Sequence, residues 1–178
     1  MSVRFRLATA AVALALTTAG VFAPPAEASD SLFKFDELAG VPRPFTGTAN
    51  PIRGVAGGGL PWVLDRGEAR LDADGSLRVV VEGLVFDPED QVVIDNGLAN
   101  QNPVPFFKAI VSCLSVDTAG DAIISNVETG LFPATTGLGA GDADIREMLA
   151  LPDPCIAPIV FVTAPSGVWF AATGFDGL

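Results

Sequence analysis

Carboxylates are the reactive side chains this chain has in quantity. Asp and Glu number 21 against 10 Lys and Arg, and the 178 residues include no histidine and no tyrosine. Without histidine there is no Ser-His-Asp or Cys-His relay and no imidazole ligand for zinc or copper. Only Lys34 and Lys108 offer an amine for Schiff-base or lysine general-base chemistry. The acids gather in three places: Asp72 and Asp74 beside Gly75, then Asp87, Glu89 and Asp90, then Asp142 and Asp144 after Gly141. Hard cations take carboxylate and backbone oxygens, so Asp72, Asp74, Asp142 and Asp144 are weak calcium candidates. None of them starts a loop of alternating acids that runs to a twelfth-position ligand, and the bland reading is turn acids facing water. Calcium is therefore the only cofactor to consider. Two carboxylates about 5 to 9 Å apart can hydrolyse a glycoside, and so many surface acids offer many pairs with no reason to choose one.

Two tryptophans invite a ligand reading as well. Trp62 follows a glycine-rich stretch and is the candidate ligand platform, of the kind that stacks on a sugar ring. Trp169 stands between Val168 and Phe170 in an apolar run, where one of Trp169 and Phe170 is expected to face in and the other out. Core packing is the competing role for both rings. The glycine-rich run RGVAGGGLP over residues 53–61 lacks the Gly-x-x-x-x-Gly-Lys frame and the strand-to-helix setting of a phosphate loop.

The elements that must hold these residues read as strands. Over residues 66–73 and 76–86 apolar residues alternate with charged ones, and Asp74-Gly75 supplies the turn between them. Arg70, Asp72, Arg78, Val80 and Glu82 then point to solvent. Residues 106–114 form the next strand, and residues 122–132 another, with Gly130 marking a bulge. A C-terminal hairpin is expected from residues 159–163 and 168–173 around a Pro-Ser-Gly turn. Residues 142–151 suit either a helix face or a strand, with strand favoured by the company of the neighbouring strands. Residues 87–105 read as a loop with one short extended piece at 92–94. Phe33, Phe35 and Leu38 fit one short strand or one helical turn.

About seven such runs with turns between them predict an all-β protein, an antiparallel β-sandwich of Ig-like or related Greek-key type. Residues 29–61 are an irregular Gly/Pro-rich segment expected to lie along the sandwich, and residues 62–178 the sandwich itself. Cys113 and Cys155 are the only cysteines, 42 residues apart and without metal-site spacing, so a disulfide is the economical expectation. It would tie the C-terminal hairpin to the strand over 106–114.

The first 28 residues have the three parts of an export signal. Arg4 and Arg6 precede an apolar run over residues 7–22, and Ala26-Glu27-Ala28 follows Pro24-Pro25. The run is shorter than the roughly 20 apolar residues of a bilayer span, so cleavage after Ala28 and a secreted or cell-envelope product are expected. Removing Arg4, Arg6 and Glu27 leaves 8 bases and 20 acids, a net charge near −12. That charge opposes nucleic acid and anionic membranes as partners and leaves a protein or glycan partner.

The stretches NPIRGVAGGGLPWVLDRGEARLDADGSLRVVVEGLVF, KAIVSC and LPDPCIAPIVFVTAPSGVWFAATG together resemble small secreted actinobacterial proteins. The resemblance spans most of the chain after residue 28 and brings no activity with it. GEARLDADGSLRVVVEGL is also loosely similar to a chordin-type extracellular β-domain. The expected function is an exported, non-enzymatic extracellular or surface module. A carbohydrate-active protein, using an exposed tryptophan or paired carboxylates, is the alternative.

Overall fold

The computed structural model describes residues 31–174, and the export signal expected over residues 1–28 lies outside the described residues. In chain order the elements are β1 (Ser31–Phe35), β2 (Leu38–Gly40), β3 (Trp62–Val63), β4 (Arg66–Asp72), β5 (Ser76–Glu82) and β6 (Val85–Phe86). A one-turn helix, α1 (Gln91–Asp95), precedes β7 (Gln101–Asn102), β8 (Phe106–Val116), β9 (Ala122–Glu128), β10 (Phe132–Pro133) and β11 (Gly137–Leu138). Then come β12 (Ala143–Met148), β13 (Ile156–Thr163) and β14 (Trp169–Thr173). The fold is all-β, with two main antiparallel sheets packed over one core. The strands outnumber the expected seven because several are two-residue pairings too short to leave a pattern in sequence.

The smaller main sheet has the order β1-β4-β5-β12. Alternation fixes its faces: Ala69, Leu71, Leu77, Val79, Val81, Ala143 and Ile145 are buried, and the residues between them face water. The ambiguous stretch over 142–151 resolves as a strand because Ile145 pairs with Val79 and both turn inward. At the β4–β5 turn Gly75 has φ +91°, and a methyl there would lie 2.0 Å from the Leu149 carbonyl oxygen. Only glycine fits that position. Gly83, at φ +64°, ends β5, so Val85 and Phe86 leave this sheet and pair with β3.

The larger sheet has the order β10-β8-β13-β14-β2, with β9 beside β10 on the same edge of β8. The break between β9 and β10 holds Gly130, where the sequence suggested a bulge. Register places Phe107, Ala109, Val111, Val160, Val162 and Ala171 on one face. Lys108, Ile110, Ser112, Phe161, Thr163 and Ala172 share the other. Both faces are buried. The inner one meets the smaller sheet; of the Gly/Pro-rich residues 41–61, Val41 and residues 56–58 run beside β14, and the part around Arg53 lies over the outer face. Gly57 bridges to Trp169, Arg53 donates to the Ser112 carbonyl at 2.8 Å, and the Asn126 side chain donates to the Arg53 carbonyl at 3.1 Å. Phe33, Phe35 and Leu38, for which one element was expected, fall in two strands of different sheets.

Cys113 and Cys155 form the disulfide, with Cα atoms 4.9 Å apart, and it joins β8 to the start of β13. These strands are hydrogen-bonded neighbours, as the expected tie between the hairpin and the earlier strand requires. One expectation fails at residues 92–94, which are helical rather than extended. Asp90 caps the turn by accepting from the Val92 and Val93 amides at 3.0 and 3.1 Å, and Arg43 holds that carboxylate at 2.9 Å. The cap and the burial of Val93 override the β preference of Val-Val-Ile. Among the described residues no helix is long and apolar enough to cross a membrane.

Candidate functional site

The four calcium candidates fall in two places. Asp72 and Asp74 sit at the β4–β5 turn, where Asp72 pairs with Arg70 at 2.9 Å and Asp74 accepts from the Ser76 amide at 2.9 Å. Asp142 and Asp144 belong to an open cleft of about 630 Å³ that Asp65 and Glu82 also line. Asp142 accepts from the Gly83 amide at 2.9 Å, and Asp144 is gripped by Arg146 at 2.6 and 2.9 Å. Asp87 closes its own turn on the Glu89 amide, and Asp90 caps α1. Among the described residues no group of three or more His, Cys, Asp or Glu side chains is arranged to hold a metal ion.

Two features of the acidic cleft weigh against a glycan site, one of its lining and one of Asp144 alone. No aromatic ring lines it. Hydrogen bonds from Arg146, and secondarily from Arg78, hold the Asp144 carboxyl below its ordinary value of 3.8, whereas a glycosidase acid needs a raised pKa. The same shift has a stability consequence. A carboxylate whose folded pKa is depressed contributes fully above its unfolded pKa, and the contribution is lost as pH falls through the lower folded value. Melting temperature should therefore fall below about pH 4, and Asp144→Asn should make that acid limb shallower without changing the profile between about pH 5 and 8. Matching acid limbs in the two proteins would overturn the assignment.

The exposed face of the smaller sheet carries a row of cations. Lys34 lies opposite Arg70, Arg70 opposite Arg78, and Arg78 opposite Arg146, one from each strand. Like charges in facing positions repel, and carboxylates on the same face offset them. Asp36 bonds Lys34 at 2.8 Å, Asp72 bonds Arg70, and Asp144 reaches both Arg78, at 3.5 Å, and Arg146. The result is a self-neutralised, solvated lattice. Lys34 is further from amine chemistry than its ordinary 10.5 suggests, because the hydrogen bond from its ammonium to Asp36 raises its pKa. Lys108 is buried on the larger sheet and ion-paired with Glu128.

Trp62 is 3% exposed, and its ring stacks on Phe170 at 4.0 Å and 19° and tilts against Phe86 at 4.4 Å. An inward ring offers no face to a sugar, so the platform gives way to packing. Trp169 is fully buried against Phe161. The glycine run serves this aromatic layer: a methyl on Gly58 would lie 3.1 Å from the Phe170 ring and 3.3 Å from Trp62 Nε1.

One surface was not singled out from sequence. The covering segment over residues 41–61 reaches the Ser112 row of the larger sheet through Arg53. The next row along the same face pairs Ile156 with Leu114 and Leu114 with Ile124, and these three side chains are 54%, 40% and 52% exposed. Val116, two residues beyond Leu114 on that face, is exposed too. At the boundary Ser112 is fully buried and its hydroxyl has no hydrogen-bond partner. Only the three-strand register brings these residues together, and no local pattern encodes it. Comparison of the chain with protein-family models, curated proteins and solved structures finds no match.

Proposed function

We propose that the protein is an exported, non-enzymatic interaction module built on an all-β scaffold. The uncovered apolar row Ile156–Leu114–Ile124 carries this reading. It continues the apolar surface that the part of residues 41–61 around Arg53 covers elsewhere on the same sheet, and a contiguous exposed apolar patch on a secreted domain marks a contact surface. The export signal and the absence of histidine from the whole sequence support the same reading. The acidic cleft adds to it, since Asp142 is engaged by the Gly83 amide and Asp144 by Arg146 and Arg78.

A panel of plant, fungal and bacterial polysaccharides incubated with the protein lacking residues 1–28 tests the reading. No reducing ends should appear above the no-protein control. Turnover that disappears in Asp144→Asn or Glu82→Gln would replace the module with a carbohydrate-active enzyme working in the acidic cleft.

A further inference from the structure

Among the described residues, every edge strand of the two main sheets except one carries a device against strand addition. A register shift interrupts β1 between Ser31 and Phe33, and that strand presents Lys34. β2 is three residues long and runs into Pro42, β10 contains Pro133, and β12 shows Asp144 and Arg146 to solvent. Short edges, prolines, bulges and charges are how sheets avoid unwanted pairing. β9 has none of them along Ala122–Val127: it is unbroken in register with β8, opens on Ala122-Ile123-Ile124, and meets a charge only at Glu128. Ile123 and Ile124 are both exposed.

The backbone of this edge is free as well. Asp117 N donates to the Asp121 carbonyl at 2.9 Å and Thr129 N to the Ala109 carbonyl at 2.9 Å, one at each end of the β8–β9 ladder. Antiparallel ladder bonds alternate between residues, so Ile123, Ser125 and Val127 bond to β8. The N–H and C=O groups of Ile124 and Asn126 then point away from it. An unused strand edge, flanked on one face by the apolar row of Leu114 and Ile156, is the arrangement that accepts an added strand.

Resting on the module reading, we infer that β9 docks an extended segment of another polypeptide, apolar at alternate positions and ending in lysine or arginine. Charge selects this occupant. Asp117 and Asp121 stand at the start of β9, while Glu128 at its far end is matched by Lys108. An added antiparallel strand brings its C-terminal end beside Asp117 and Asp121. A second copy of this chain would set those acids near the Glu128 end of its partner and join two molecules that, without residues 1–28, each carry 20 acids against 8 bases. Like-charge juxtaposition of that kind disfavours a partner.

The probes are two peptides, acetyl-TVTVTVKK-amide and its counterpart ending in EE, titrated into the ¹⁵N-labelled protein lacking residues 1–28. The lysine peptide should shift the Ile124 and Asn126 amides and bind at least about tenfold more tightly than the glutamate peptide. Asp121→Asn should reduce that preference. Ile124→Pro removes the outward N–H, which the ladder to β8 does not use, and edge strands tolerate proline there. It should abolish peptide binding, while Ile124→Thr, which keeps the N–H, should retain part of it. Three results would overturn the inference: no binding of either peptide, equal binding by Ile124→Pro, or a dimer in sedimentation that Ile124→Pro dissolves. Polysaccharide turnover would remove the module reading and leave the peptide result standing, so the two ideas fail separately.

Discussion

Replacing both Cys113 and Cys155 with serine should lower the unfolding free energy by about 4 kcal/mol, the loop-entropy value for a link of this span. The bond closes a loop of 42 residues' separation that contains β9, β10, β11 and β12. Breaking it leaves the β8–β13 ladder in place, with Val160 still opposite Val111 and Phe161 opposite Ile110, so the native sheet survives the substitution. The loss therefore arises mainly in the unfolded chain, which regains the freedom of that loop. Urea unfolding of the oxidised protein and the double variant measures the difference. A shift below about 1 kcal/mol would contradict the loop argument, and two reactive thiols in the denatured, unreduced protein would remove its basis. The β9 edge lies on the surface of the enclosed loop, and binding at that edge should persist in the variant wherever it remains folded.

The parts of the fold that were legible in sequence are those whose signal is local. Period-two alternation around Asp74-Gly75 gives β4 and β5, and apolar runs around Pro165-Ser166-Gly167 give β13 and β14. Two lone cysteines gave the disulfide by elimination. What escaped depends on partners far along the chain. Asp90 caps a helical turn that reads in sequence as extended chain, and the arginine that holds it lies 47 residues earlier. The orientation of Trp62 follows from Phe170, more than a hundred residues away. The apolar row likewise needs the registers of three strands, since Leu114, Ile124 and Ile156 each look ordinary in their own runs. The acidic residues are a different case. Asp72 and Asp144 each pair with an arginine two residues along the same strand, Arg70 and Arg146, and only the strand assignment puts both partners on one face.

Trp62→Ala should destabilise the protein by about 3 to 5 kcal/mol, the usual cost of truncating a buried tryptophan. The ring is held on two sides, by Phe170 of β14 and Phe86 of β6, and Phe170 in turn meets Phe107 of β8 edge-on at 5.9 Å. Removing the indole opens a cavity in that aromatic layer. The backbone around it has little freedom to collapse, because Trp62 N donates to the Val41 carbonyl and the Trp62 carbonyl packs against Gly40. Trp62→Phe keeps a stacked ring and should cost less than the alanine change. A sugar platform predicts the reverse ordering of effects: glycan affinity lost in Trp62→Ala and stability nearly unchanged, as for an exposed side chain. Denaturant unfolding of the two variants, together with glycan titration of each, separates these outcomes. A stability loss under about 1 kcal/mol in Trp62→Ala would show that the indole does not hold the aromatic layer together as its burial implies.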